Sequence, residues 1–136
     1  MNAWSNLPNA KHIDWVLDSL KSNIDIWNQA WNQANDQARY QAWNQAWNQA
    51  YDQARVKAYN QARDQSRGQA YEQASDQAWN QVYGVLLALI AYDDCDQYLS
   101  MTFDELKTWA LISENSQAIL LLPMKYVKEK LNECLV

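Results

Sequence analysis

Glycine and proline are nearly missing from this chain, two of each in 136 residues. An all-β protein needs both at its turns, so their scarcity argues for a helical fold. Histidine occurs once, and the two cysteines, Cys95 and Cys134, have neither C-x-x-C nor any metal-type spacing. Two reduced thiols in a cytosolic protein are the expectation, with no metal and no cofactor implied. Basic residues form no block or stripe and the net charge is −5, so no phosphate-collecting surface for nucleic acid is expected. The most apolar run, Val82–Tyr92, is about half of the ~20 residues that span a bilayer. The opening MNAWSNLPNAKHIDW has neither the basic start nor the apolar core of a signal peptide. A soluble, intracellular protein without a membrane partner is expected.

What the chain has in quantity is tryptophan and tyrosine, eight of each, set among alanine and glutamine. Rings of that size drive burial and argue against disorder. From Trp27 to Val82, fourteen consecutive tetrads read aromatic/Arg, Asn/Asp, Gln, Ala. The fourth position is Ala except at Ser66 and Val82, and the third is Gln except at Lys57. The first position is mostly aromatic (Trp27, Trp31, Trp43, Trp47, Tyr51, Tyr59, Tyr71 and Trp79) or arginine (39, 55, 63 and 67), and the second is usually Asn or Asp. On a helix, first and fourth positions fall at i, i+3, i+4 and i+7, which makes an amphipathic stripe. Four residues turn the helix by about 400°, so the stripe slips ~40° per tetrad and circles the helix in about 36 residues. No straight partner can follow it. The helix must break, bend or be crossed steeply, and a ridge of alanines every fourth residue suits close crossings.

The expected fold is all-α, one domain over 1–136 with five or six helices: an N-terminal part (1–26), tetrad helices (27–82) and C-terminal helices (83–136). An unbroken helix from Ile24 to Gln65 would be about 60 Å long, awkward for a chain of this size. Ser66-Arg67-Gly68 is the favoured break, with Asn35-Asp36 and Val56-Lys57 as weaker ones. Before the repeat, Asn6-Leu7-Pro8 reads as a cap and first turn for a helix through Ser22. After it, VYGVLLALIAY continues a helix to about Asp93-Asp94. Thr102 to Glu105 spells a capping box for a helix through Ile112. A last helix, with Pro123 near its start or kinking it, runs through Tyr126, Val127, Leu131 and Leu135.

Three stretches together, LPNAKHIDWVL at Leu7–Leu17, the tetrads, and ALIAYDDC with AILLLPM, carry a resemblance. The chain resembles small Ala-rich tetrapeptide-repeat proteins of tailed phages and prophages of enterobacteria, whose tetrads carry Ala where this chain has Gln. The resemblance implies an accessory protein acting in an infected host's cytoplasm. It carries over no site residues.

The sequence offers little for catalysis. It has no nucleophile elbow, P-loop, dinucleotide fingerprint or H-E-x-x-H. His12, beside Ile13 and Trp15, reads as a structural residue, and Asp93-Asp94-Cys95-Asp96 lacks the glycine and distal glutamate of a calcium loop. The expectation is no enzyme. Candidate binding residues are Trp43, Trp47 and Tyr51 on one ridge, flanked by Arg39 and Arg55. Such a set can supply hot spots to a protein interface or stack a nucleobase. The plainer reading is that the rings are core, with arginine where the stripe has turned to solvent. Thirteen glutamines in register form either an uncharged solvent face or a self-association surface. Three functions stay open: binding and inhibition of a host protein, sequestration of a nucleotide-like ligand in a Trp/Arg-lined pocket, and a structural homo-oligomer.

Overall fold

The computed structural model describes residues 2–37, 40–73, 79–113 and 115–134, of which 31, 34–37, 40, 113, 133 and 134 by backbone only. Among these residues there are eight helices and no strand. They are α1 (Ala10–Ser22), α2 (Ile24–Gln37), α3 (Tyr40–Val56), α4 (Asn60–Gln73), α5 (Trp79–Ala91), α6 (Asp96–Leu99), α7 (Phe103–Ser113) and α8 (Ser116–Cys134). The all-α class holds. Among the described residues the helices number eight rather than five or six, with a four-residue turn, α6, between α5 and α7.

Helices α5 and α8 form the centre. α5 packs against α1, α3, α4 and α8, while α8 packs against α2, α3, α6 and α7. Every residue of α5 from Gln81 to Ala91 is buried. A helix apolar on all sides belongs inside a ring of others, and VYGVLLALIA is such a helix. One hydrophobic cluster takes side chains from all eight helices and from Trp4, whose indole N–H donates to Asp14 at 2.8 Å.

Among the described residues the repeat breaks at Lys57-Ala58-Tyr59, at the weaker candidate Val56-Lys57 and not at the favoured Gly68. Gly68 lies inside α4, exposed, with nothing within 4 Å of where a Cβ would stand. A glycine costs a helix only about 1 kcal/mol, which tertiary packing overrides. At the true break, the Tyr59 N–H donates to the Ala54 carbonyl (2.9 Å) and the Ala58 N–H to the Arg55 carbonyl (3.0 Å). Those are the two bonds of a Schellman motif, and Ala58 takes its left-handed position with φ 63°.

The break also places Lys57, the one third-position residue that is not glutamine. Its ammonium donates to the Ala91 carbonyl at 2.8 Å and lies 3.5 Å from Asp93. Last-turn carbonyls of a helix have no partner of their own, and a buried end must find some. Here other segments provide them. The Asn9 amide donates to Leu89 (2.9 Å) and Tyr92 (2.5 Å), and the Cys95 thiol to Ala88 and Tyr92 (3.5 Å each). The expected Asn6-Pro8 cap is therefore not used. Asn9 occupies the cap position of α1, makes no side-chain cap bond there, and spends its amide on α5.

The capping box of α7 is as read: Thr102 N–H donates to Glu105 (3.0 Å) and Glu105 N–H to the Thr102 hydroxyl (3.2 Å). Hydrogen bonds from the Thr102 backbone N–H and hydroxyl to the carboxylate hold the Glu105 carboxyl below its usual pKa. Pro123 lies within α8, which continues through it.

Candidate functional site

The tetrad alanines set how closely the helices approach. Ala30, Ala46, Ala50, Ala54, Ala62 and Ala70 are buried, and Ala58, at the break, is exposed. α3 lies so near α5 that a Cβ on Gly84 would come 3.0 Å from the Trp43 ring and 3.4 Å from the Trp47 ring. First-position side chains then rotate outward along α3 and again along α4. In α3, Trp43 is 7% exposed, Trp47 and Tyr51 are half-buried, and the Arg55 side chain is 66% exposed beside Asp52. Past the break the stripe resets: Arg63 is 8% exposed, Arg67 is exposed, and Tyr71 is 61% exposed. Four tetrads from Trp43 to Arg55 slip by about 120°, enough to carry a side chain from core to water.

Three of the five candidate residues, Trp43, Trp47 and Tyr51, are thus brought together, but facing inward. Arg55 stands apart in solvent, and Arg39 lies outside the described residues. Trp47 stacks on Tyr51 (centroids 5.5 Å, planes 10° apart) and meets Tyr83 edge-on at 5.6 Å. The Arg63 guanidinium lies 4.1 Å over the other partner in this row, the Tyr51 ring. Arg67 lies 5.6 Å from the Tyr83 ring and 5.5 Å from Trp79, which Tyr71 meets edge-on at 5.6 Å. Each aromatic pair contributes about 0.5–1.5 kcal/mol beyond its burial, and a desolvated cation–π contact up to about 2. Burial pushes the Tyr83 hydroxyl up to about 12 even though Arg63 and Arg67 pull it down.

Arg63 was not among the candidates, although its tetrad, RDQS, is the one that ends in serine, and Ser66 is buried with its hydroxyl donating to the Arg63 carbonyl (3.2 Å). Its Nε and Nη1 are buried without a hydrogen-bond partner, as are the indole nitrogens of Trp43 and Trp47. The carboxylate beside it, on Asp64, is 3.9 Å away and exposed. The cluster is filled by the chain's own rings. Surface depressions of about 310, 510 and 350 Å³ are each lined by residues other than Trp43, Trp47 and Tyr51.

The acidic run does not converge either. Asp93 faces Lys57, Asp94 accepts from Gln97 (2.6 Å) and Gln117 (2.8 Å), and Asp96 pairs with His12. The His12 contact lowers the Asp96 pKa. Cys95 is fully buried, and burial together with Asp94, Asp96 and Asp93 pushes its thiol up to about 12. Such a thiol is no nucleophile at neutral pH.

Exposed apolar side chains and an open groove occur on α7 and between α3 and α8. α7 buries Leu106 and Ala110 but leaves Leu111 and Ile112 53% and 78% exposed, with Trp109 also exposed. Just after it, Ser116 opens α8 and faces α3. There a groove of about 310 Å³ is lined by Gln41, Gln45, Gln49, Ala42, Ser116 and Ile119, with Ala46 in its floor. No helix among the described residues is long and apolar enough to cross a membrane. The chain matches no protein-family model, no curated protein and no solved structure.

Proposed function

We propose that this is a non-enzymatic interaction protein that engages another protein through the face formed by the end of α7 and the α3–α8 groove. In keeping with the phage-type resemblance, the partner is a host protein whose activity it blocks. The observation that carries this reading is the exposure of Leu111 and Ile112, with Trp109 on the same helix. Contiguous apolar surface rimmed by polar groups marks binding sites, and buried tryptophans dominate interface energies. Of the rings first suspected of binding, Trp43 is buried and Trp47 and Tyr51 are half-buried against the core, while Leu111 and Ile112 stand exposed.

The test is affinity capture from host cells with the wild-type chain and with Leu111→Asp/Ile112→Asp, which changes only exposed positions. A protein recovered by the wild type and lost by the variant, with both melting alike, supports the reading. Recovery of the same proteins by both chains overturns it. The small-ligand reading has one observation in its favour, the buried Arg63 nitrogens without partners. Tryptophan fluorescence and melting unchanged across a panel of nucleotides would dispose of it.

A further inference from the structure

Resting on that protein-binding reading, we infer that the α3–α8 groove receives an extended peptide segment of the partner, held by backbone hydrogen bonds to Gln41, Gln45 and Gln49. The chemistry comes from the third tetrad position. Each of these glutamines is exposed and lines the groove. A primary amide offers one carbonyl acceptor and an NH₂ donor, the complement of a peptide group's own N–H and C=O. Each can therefore pair with both groups of one residue on a strand edge.

The spacing fits. Residues four apart on a helix rise about 6 Å, so the three amides span about 12 Å. On an extended chain, residues that point the same edge outward recur every ~6.6 Å, so three of them span about 13 Å. The difference, about 1 Å, is within the reach of a side chain with three torsions. The glutamine row leans ~26° from the axis of α3, so the peptide runs obliquely along the groove.

The floor and the charge fit as well. Ala42, Ala46 and Ile119 lie beneath the amides, and the small alanines leave room for alternate side chains of the guest. Among the described residues no charged one lines the groove, which suits a neutral backbone rather than a phosphate or an acidic tail. In the free protein the Ser116 hydroxyl donates to the Gln49 carbonyl oxygen, a bond that the guest's N–H replaces.

The probe is a pool of capped eight-residue peptides, threonine at alternate positions and uncharged residues between, with a second pool N-methylated at every residue. Binding to the full chain is read from the side-chain NH₂ resonances of glutamines by NMR. The first pool is expected to move Gln41, Gln45 and Gln49 but not Gln61 or Gln65, and the methylated pool to move none. Gln45→Met, which keeps the shape and removes the amide, should raise Kd about fivefold or more without changing the melting temperature. No movement, equal movement with the methylated pool, or an unchanged Kd for Gln45→Met overturns the inference. A partner lost on Leu111→Asp/Ile112→Asp but kept by Gln45→Met retires the peptide groove and leaves the protein-binding reading standing. A partner indifferent to both retires the reading itself.

Discussion

The chain has a glycine where a helix runs straight through and an alanine where the chain turns left-handed. Exchanging the two is expected to stabilise the protein twice over. At position 68 the backbone is helical, the site is exposed and an added Cβ meets nothing within 4 Å. Gly68→Ala therefore removes only the entropy penalty of a helical glycine, a gain of about 0.5–1 kcal/mol. At position 58 the φ of 63° forces an L side chain into the left-handed region, at a cost of about 1–2 kcal/mol. Ala58→Gly relieves that strain, less about 0.5–1 kcal/mol for the freer unfolded chain, a net gain of about 0.5–1 kcal/mol. The two sites are separate and the gains should add to roughly 1–2 kcal/mol. For a domain of this size that raises Tm by about 3–8 °C, measured by circular dichroism at 222 nm. A lower Tm for Gly68→Ala would mean that Gly68 is a turn after all. A lower Tm for Ala58→Gly would mean that α3 does not end in a left-handed cap. Either result refutes the placement of the break.

Three further outcomes are expected. Gly84→Ala should lower Tm by a few degrees, because a methyl 3.0 Å from the Trp43 ring and 3.3 Å from Leu120 costs about 1–3 kcal/mol of overpacking against about 1 kcal/mol of helix propensity gained. Lys57→Gln, which restores the repeat's own consensus, should destabilise by about 1–2 kcal/mol in denaturant melts, since it removes the charged donor to the Ala91 carbonyl. Cys95 should resist alkylation at pH 8 until the chain unfolds, followed by mass spectrometry of its peptide. Its folded pKa of about 12 lies above that of a free thiol, about 8.5. The neutral thiol's stabilisation is therefore complete below about pH 8.5 and falls as pH rises from there towards 12. Alkylation of native Cys95 at the free-thiol rate contradicts this.

The helical class, the burial of tetrad alanines and the α7 capping box were all legible, because each rests on local spacing. The favoured break was not, although the weaker candidate Val56-Lys57 is where α3 ends. Gly68 is the strongest local signal in the repeat, yet the turn is set eleven residues earlier by what Lys57 does for α5, a long-range demand. The signal was present as the one departure from glutamine at the third position, beside Val56. The aromatic set was legible as a ridge, but its inward direction depends on where each helix restarts the stripe. Arg63 shows the same limit. Its tetrad, RDQS, differs from the RVKA and RGQA of exposed Arg55 and Arg67, but its burial follows its phase after the break, and phase is fixed by tertiary structure.

That phase can be read directly by hydroxyl-radical footprinting of the intact chain, with the rate at each first-position side chain divided by that of the free amino acid. A sawtooth is expected: protection at Trp43, rising reactivity through Trp47 and Tyr51 to Arg55, renewed protection at Arg63, and high reactivity again at Arg67 and Tyr71. A flat profile, or one that climbs without resetting between 55 and 63, would mean that the break does not re-phase the stripe.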